Sequence, residues 1–87
     1  MTYDSLTKLG YFKLRDQVEG CESFGKLDID SILFVITINE TRVAAGKIEL
    51  LNNSILNQQK IDNIQIAYNR LQNDLKVLNG GNNKWTN

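Results

Sequence analysis

The chain has 87 residues and equal numbers of basic and acidic side chains, so it is at most one domain and carries no net charge. This balance argues against direct binding to nucleic acid or to an anionic membrane, because both depend on an excess of Lys and Arg. There is no histidine and one cysteine, which removes the commonest general base and metal ligand and any intrachain disulfide.

An amphipathic helix is the first predicted element, over residues 11–24. Apolar side chains recur there at intervals of three and four residues, with charged and polar side chains between them. Gly25 follows at the position where a glycine commonly ends a helix. The apolar stripe of this predicted helix consists of Tyr11, Leu14, Val18, Cys21 and Phe24.

The stretch GCESFGKL, residues 20–27, has the glycine and lysine spacing of a phosphate-binding loop. Such a loop needs a buried strand before it and a Ser or Thr after the lysine to hold magnesium. Leu27 follows Lys26 here, and the residues before the stretch are amphipathic. We therefore expect no nucleotide site, and we expect Lys26→Ala to leave the behaviour of the protein unchanged.

Asp28 and Asp30 begin like a calcium-binding loop, but Ile32 occupies the next ligand position and Leu33 replaces the required glycine. The two acids are interpreted instead as helix N-caps. Because no metal site or catalytic constellation remains, the sequence predicts no cofactor, no metal, no catalytic residues and no enzymatic activity.

The run ILFVITI, residues 32–38, admits two interpretations. Its many β-branched side chains favour a strand with Phe34, Ile36 and Ile38 on one face, paired with residues 47–50 in a hairpin. The turn between them lacks the Asn-Gly or Asp-Gly pair that short hairpins favour, so we prefer a buried helix and keep the hairpin as the alternative.

The strongest pattern is a heptad-like apolar seam in the C-terminal part of the chain. It predicts a long amphipathic, coiled-coil-like helix that stops at Gly80. Residues 80–87 then form a flexible polar tail that contains Trp85. The seam is the predicted interface, and its residues are Ile61, Ile64, Tyr68, Leu71, Leu75 and Leu78.

These patterns together predict a mainly α fold: one domain over residues 1–79, built as a small helical hairpin or bundle with a long C-terminal helix. An α+β fold with a β-hairpin over residues 32–50 is the alternative.

The predicted function is protein–protein interaction or assembly through the C-terminal helix, with a second copy or a helical protein as partner. The alternative is a small regulator or inhibitor, for example from a mobile element, that binds a larger enzyme or a nucleic-acid-binding protein.

A cytoplasmic location without membrane insertion is also expected. The first ten residues, MTYDSLTKLG, lack the apolar core of a secretory signal, and the longest apolar run is too short to span a bilayer. A single cysteine suits a reducing compartment.

Overall fold

A computed structural model of the chain describes residues 3–15, 19–40, 42–51 and 56–80. The elements follow in the order α1 (Tyr3–Leu9), β1 (Phe12–Leu14), β2 (Cys21–Leu27), a 3-10 turn (Ile29–Ser31), β3 (Ile32–Asn39), β4 (Arg42–Leu50) and α2 (Gln58–Leu78). The strands form one antiparallel four-stranded sheet in the order β1-β2-β3-β4. The fold is therefore α+β, and the prediction of a mainly α bundle is wrong.

The helix preferred for residues 32–38 is wrong, and the hairpin alternative is correct. Ile36 of β3 lies opposite Phe24 of β2, and Phe34 lies opposite Ile48 of β4. β3 is thus paired on both sides. Its four core-face side chains are buried, and on the other face Val35 is buried and Leu33 and Thr37 are partly buried. A strand that carries apolar side chains on both faces lacks the polar–apolar alternation that would distinguish it from a buried helix.

The helix predicted over residues 11–24 is also wrong. Of its apolar stripe, Leu14 lies in β1, Cys21 and Phe24 lie in β2, Tyr11 precedes β1, and Val18 falls outside the described residues. Gly25 is a buried mid-strand residue opposite Val35, and a Cβ atom built on it would lie 2.8 Å from Leu14 Cδ1. Gly25 therefore allows the Leu14 side chain to lie against β2, and it does not end a helix.

Both helices cover the same face of the sheet. The alternate residues Ile32, Phe34, Ile36 and Ile38 of β3 are at most 1% exposed on this face and meet side chains from α1 and α2. Part of the apolar face of α2 is buried against the sheet, through Ala67, Leu71 and Leu78. The complete core cluster is Leu6, Tyr11, Phe24, Ile32, Phe34, Ile36, Ile38, Ala67, Leu71 and Leu78.

The C-terminal helix is present as predicted, and it begins earlier than the seam. Asn57 precedes its first turn, and the Asn57 side chain accepts a hydrogen bond of 2.8 Å from the backbone amide of Lys60. This is the N-cap arrangement that offsets the unpaired amides of a first helical turn. The helix ends at Leu78, and Gly80 follows with a positive φ of 96°. Residues 81–87 of the predicted tail, with Trp85, lie outside the described residues.

Candidate interaction surface

The six seam residues divide into a buried group and an exposed group. Leu71 and Leu78 are only 1% and 3% exposed, and Ile64 and Leu75 are partly buried against the same core. Ile61 and Tyr68 are 49% and 50% exposed. The fold of the single chain therefore covers most of the predicted interface and leaves Ile61 and Tyr68 in solvent.

One side of α2 is held to the sheet by a polar network. The Lys26 ammonium of β2 lies 2.7 Å from the Asp74 carboxylate of α2 and also donates to the backbone oxygen of Leu9. The Tyr11 hydroxyl donates a 2.8 Å hydrogen bond to the same carboxylate. Burial, together with the Asp74 hydrogen bond and charge, raises the pKa of Tyr11 well above its ordinary value. The phenol is therefore kept as a neutral donor.

Two further ion pairs continue this network towards the N-terminus of α2. Arg70 donates a 2.8 Å hydrogen bond to Asp28, and Asp30 lies 3.1 Å from the buried ammonium of Lys60. Asn63 donates to the same Asp30 carboxylate at 3.3 Å. Hydrogen bonds from Lys60 and Asn63 hold the pKa of Asp30 below its ordinary value.

The predicted N-cap role of the two acids is therefore replaced by contacts with α2. Asp28 precedes the 3-10 turn without a side-chain capping hydrogen bond, and Asp30 adopts a left-handed φ of 59°. No local sequence pattern indicates these pairs, because Arg70 lies 42 positions after Asp28 and Lys60 lies 30 positions after Asp30.

The other side of α2 faces β4. A Cβ atom on Gly46 would lie 3.1 Å from Leu75 Cδ1, so the Leu75 side chain rests directly on the β4 backbone. Tyr68 and Ile61 precede Leu75 by one and two heptads, and residues seven apart lie on nearly the same line of a helix. Ile61, Tyr68 and Leu75 therefore run along the flank of α2 above β4. Only Leu75 is covered by the sheet beneath it.

The strand below this flank lies at the edge of the sheet. β4 pairs with β3, and no strand in the described part of the chain pairs with its outer side. Thr37 lies opposite Ala45 whereas Ile38 lies opposite Val43, so Ala44 is an extra residue that makes a β-bulge. Regular edge geometry therefore extends from Ala45 to Leu50. Ile61 and Tyr68, together with this edge, Ala45–Leu50, form the α2–β4 flank.

The face of the sheet opposite the helices is partly apolar as well. Phe12 and Leu27 are 50% and 57% exposed there, and Val35 is buried among its strand neighbours. Cys21, which the sequence places on the apolar stripe of a predicted helix, is only partly buried on β2. Neither α1 nor α2 packs on this face, because both contribute to the core on the other side.

In the part of the chain that the structure describes, few side chains are grouped so that they could bind a ligand or a metal ion. An open cleft of about 220 Å³ lies at the β3–β4 turn and is lined by residues of that hairpin: Asn39, Glu40, Arg42, Val43 and Ala44. The described residues contain no group of three or more Cys, Asp or Glu side chains placed to hold a metal ion. Neither described helix has an apolar stretch sufficient to cross a membrane.

Comparisons of the chain with family models, with curated proteins and with solved structures gave no match. The candidate site therefore rests on the geometry of this chain alone. Sequence reasoning proposed Ile61 and Tyr68 as interface residues. It assigned residues 47–50 to a strand only in the hairpin alternative, and it did not predict that this strand lies at the sheet edge beside them. The alternation in KIEL, residues 47–50, was the available signal for that strand.

Proposed function

We infer that this protein is a protein–protein interaction module that associates through the α2–β4 flank. The observation that carries this proposal is the juxtaposition of two half-exposed seam residues, Ile61 and Tyr68, with an unpaired strand edge. Aromatic and branched apolar side chains supply much of the binding free energy at protein interfaces, and an open strand edge supplies backbone donors and acceptors.

Self-association is the form of interaction that we expect. The chain has zero net charge, which removes the general repulsion that keeps many small proteins apart. A domain of this size also buries a limited core, so covering Ile61 and Tyr68 in an assembly would add apolar burial that the monomer lacks.

Sedimentation velocity over a range of concentrations tests the proposal with Tyr68→Asp and a matched control, Asn73→Asp. Both changes place an aspartate on an exposed part of α2, but residue 73 lies away from the flank. We expect the wild type and Asn73→Asp to form the same assembly and Tyr68→Asp to be monomeric with its helix intact by circular dichroism. A monomeric wild type, or an assembly that survives Tyr68→Asp, would contradict the proposal.

A further inference from the structure

We propose that the partner of the α2–β4 flank is a second copy of this chain, which pairs antiparallel with β4 across a two-fold axis through Ile48. This inference rests on the proposed function and adds the partner and the register. The charge pattern of the regular part of the edge, Ala45–Leu50, supports it, because this pattern is complementary to itself in one register.

The two-fold axis restricts the registers available to β4. Antiparallel edge strands of two identical sheets are related by an axis perpendicular to the sheet, and this axis keeps both pairs of helices on the same face. Residues opposite each other must then point to the same face, so one residue of β4 lies opposite its own copy at the axis.

Charge selects among these registers. An axis at Lys47 places two lysines opposite each other, and an axis at Glu49 places two glutamates opposite each other, both of which destabilise a strand pair. An axis at Gly46 places Lys47 opposite Ala45 and extends the pairing into the bulge. An axis at Ile48 places Lys47 opposite the second copy's Glu49. By the same symmetry, Glu49 lies opposite the second copy's Lys47.

The charged side chains are available for this exchange. Lys47 and Glu49 now form an ion pair of 3.2 Å along their own strand, with 57% and 36% of their side chains exposed. They lie on the open face of the sheet, since their partners in β3 are Val35 and Leu33. Charged side chains and bulges normally protect edge strands from pairing. Here Lys47 faces its own copy when the axis lies at Lys47, and among the registers centred between Ala45 and Leu50 only the Ile48 register places a glutamate opposite it.

The same axis brings the exposed residues of the two α2 helices together. Strands lie about 4.8 Å apart, so a helix above β3 and β4 would have its copy roughly 10–14 Å away across the axis. Helices pack at about 8–10 Å, and large side chains extend the reach. Tyr68 and Ile61 lie on the side of α2 that faces this gap. Ile48 and the 42%-exposed Leu50 form its floor, since their partners in β3 are the core residues Phe34 and Ile32.

A charge-swap experiment tests the register. In the Lys47→Glu variant, the glutamate at position 47 of one copy would face Glu49 of the other copy. In the Glu49→Lys variant, the lysine at position 49 of one copy would face Lys47 of the other copy. We expect each variant alone to dimerise at least about tenfold more weakly than the wild type. An equimolar mixture restores both complementary pairs, so we expect a mixed dimer. Native mass spectrometry with one variant labelled with ¹⁵N detects it. The double variant Lys47→Glu/Glu49→Lys should dimerise like the wild type.

The outcomes separate this inference from the proposed function. Single variants that dimerise normally, or a mixture that forms no mixed dimer, would overturn the Ile48 register. If Tyr68→Asp still dissociates the assembly in that case, the flank remains the interface and only the register fails. If the assembly survives Tyr68→Asp, the interface itself is misplaced. Circular dichroism of each variant establishes that the monomer is folded before its association is compared.

Discussion

Lys26 shows how one side chain can connect three elements of this fold. Its ammonium group bonds to Asp74 of α2 and to the Leu9 carbonyl at the end of α1, and it lies 4.8 Å from the centre of the Tyr11 ring. The lysine of the phosphate-loop pattern therefore holds both helices to β2. The sequence-based expectation that its substitution would be silent must be revised.

We predict that Lys26→Met lowers the free energy of unfolding by about 1.5–3 kcal/mol, the usual range for a hydrogen bond to a charged group. Methionine retains an apolar stem for packing but leaves the mostly buried Asp74 carboxylate without its cation. Urea denaturation measures the change, and Lys76→Met on the exposed surface of α2 is the control. Equal stabilities for the two variants would show that the ion pair contributes nothing.

Asp30 should make stability depend on acid pH. Its pKa is lowered in the folded protein by hydrogen bonds from Lys60 and then Asn63. A carboxylate with a lowered folded-state pKa stabilises the fold at pH values above its unfolded pKa of about 3.9, and that contribution disappears as the pH falls through the folded value.

Comparison with Asp30→Asn isolates this effect. We expect the variant to be less stable than the wild type at pH 6, because Lys60 remains buried without its counter-charge. The difference should shrink between pH 6 and pH 3, because pH 3 lies below the unfolded-state pKa of the carboxyl group, where its contribution to stability begins to be lost. Denaturation midpoints at both pH values provide the measurement, with the exposed Asp62→Asn as control. A difference that is independent of pH would refute the assignment.

Helix α2 combines two roles that its sequence does not separate. Its apolar seam predicts one interface, but the sheet covers the line through Leu71 and Leu78 and leaves Ile61 and Tyr68 exposed. A heptad pattern reports that a face is apolar, and it does not report whether the cover comes from the same chain. The interface role of all six residues stays a prediction, and the buried ones first serve the core.

The buried line of α2, through Leu71 and Leu78, and its exposed line, through Ile61 and Tyr68, should therefore differ in how substitutions affect stability and association. Leu71→Ala should lower the free energy of unfolding by about 2–5 kcal/mol, because it leaves a cavity in the core. Leu71→Asp should prevent folding, since it buries an unpaired charge. Tyr68→Ala and the exposed Asn73→Asp should leave the monomer folded, and only Tyr68→Ala should weaken association. Urea denaturation and sedimentation of the four variants distinguish the lines. A fully stable Leu71→Ala would contradict the observed core.

At the scale of the whole molecule, the protection of strand amides from hydrogen exchange should report on both the fold and the assembly. β3 is paired on both sides, so its amides should exchange slowly with solvent at every protein concentration. We predict that the outward-facing amides between Ala45 and Leu50 exchange quickly in dilute protein and slow down as the concentration rises. Hydrogen–deuterium exchange measured by NMR follows each amide. Exchange of β4 that does not depend on concentration would argue against pairing at this edge.

The sequence by itself determined α2, because its seam continues over several turns and reaches a glycine stop, and these local signals agree with the tertiary structure. It also determined which side chains of residues 32–38 share a face if the segment is a strand. It excluded a net-charge attraction to nucleic acid.

Only the tertiary structure decided the state of the first half of the chain. The spacing of Tyr11, Leu14, Cys21 and Phe24 resembles that of a helix, yet Leu14 packs on Gly25 and Phe24 faces Ile36 across two strands. These contacts join distant residues, and a periodicity in one segment cannot encode them. The division of α2 into a buried line and an exposed flank, and the position of β4 at the edge, depend on where the sheet stops. That limit is a property of how the strands pair, so the candidate interface could be recognised only after the strands were assembled.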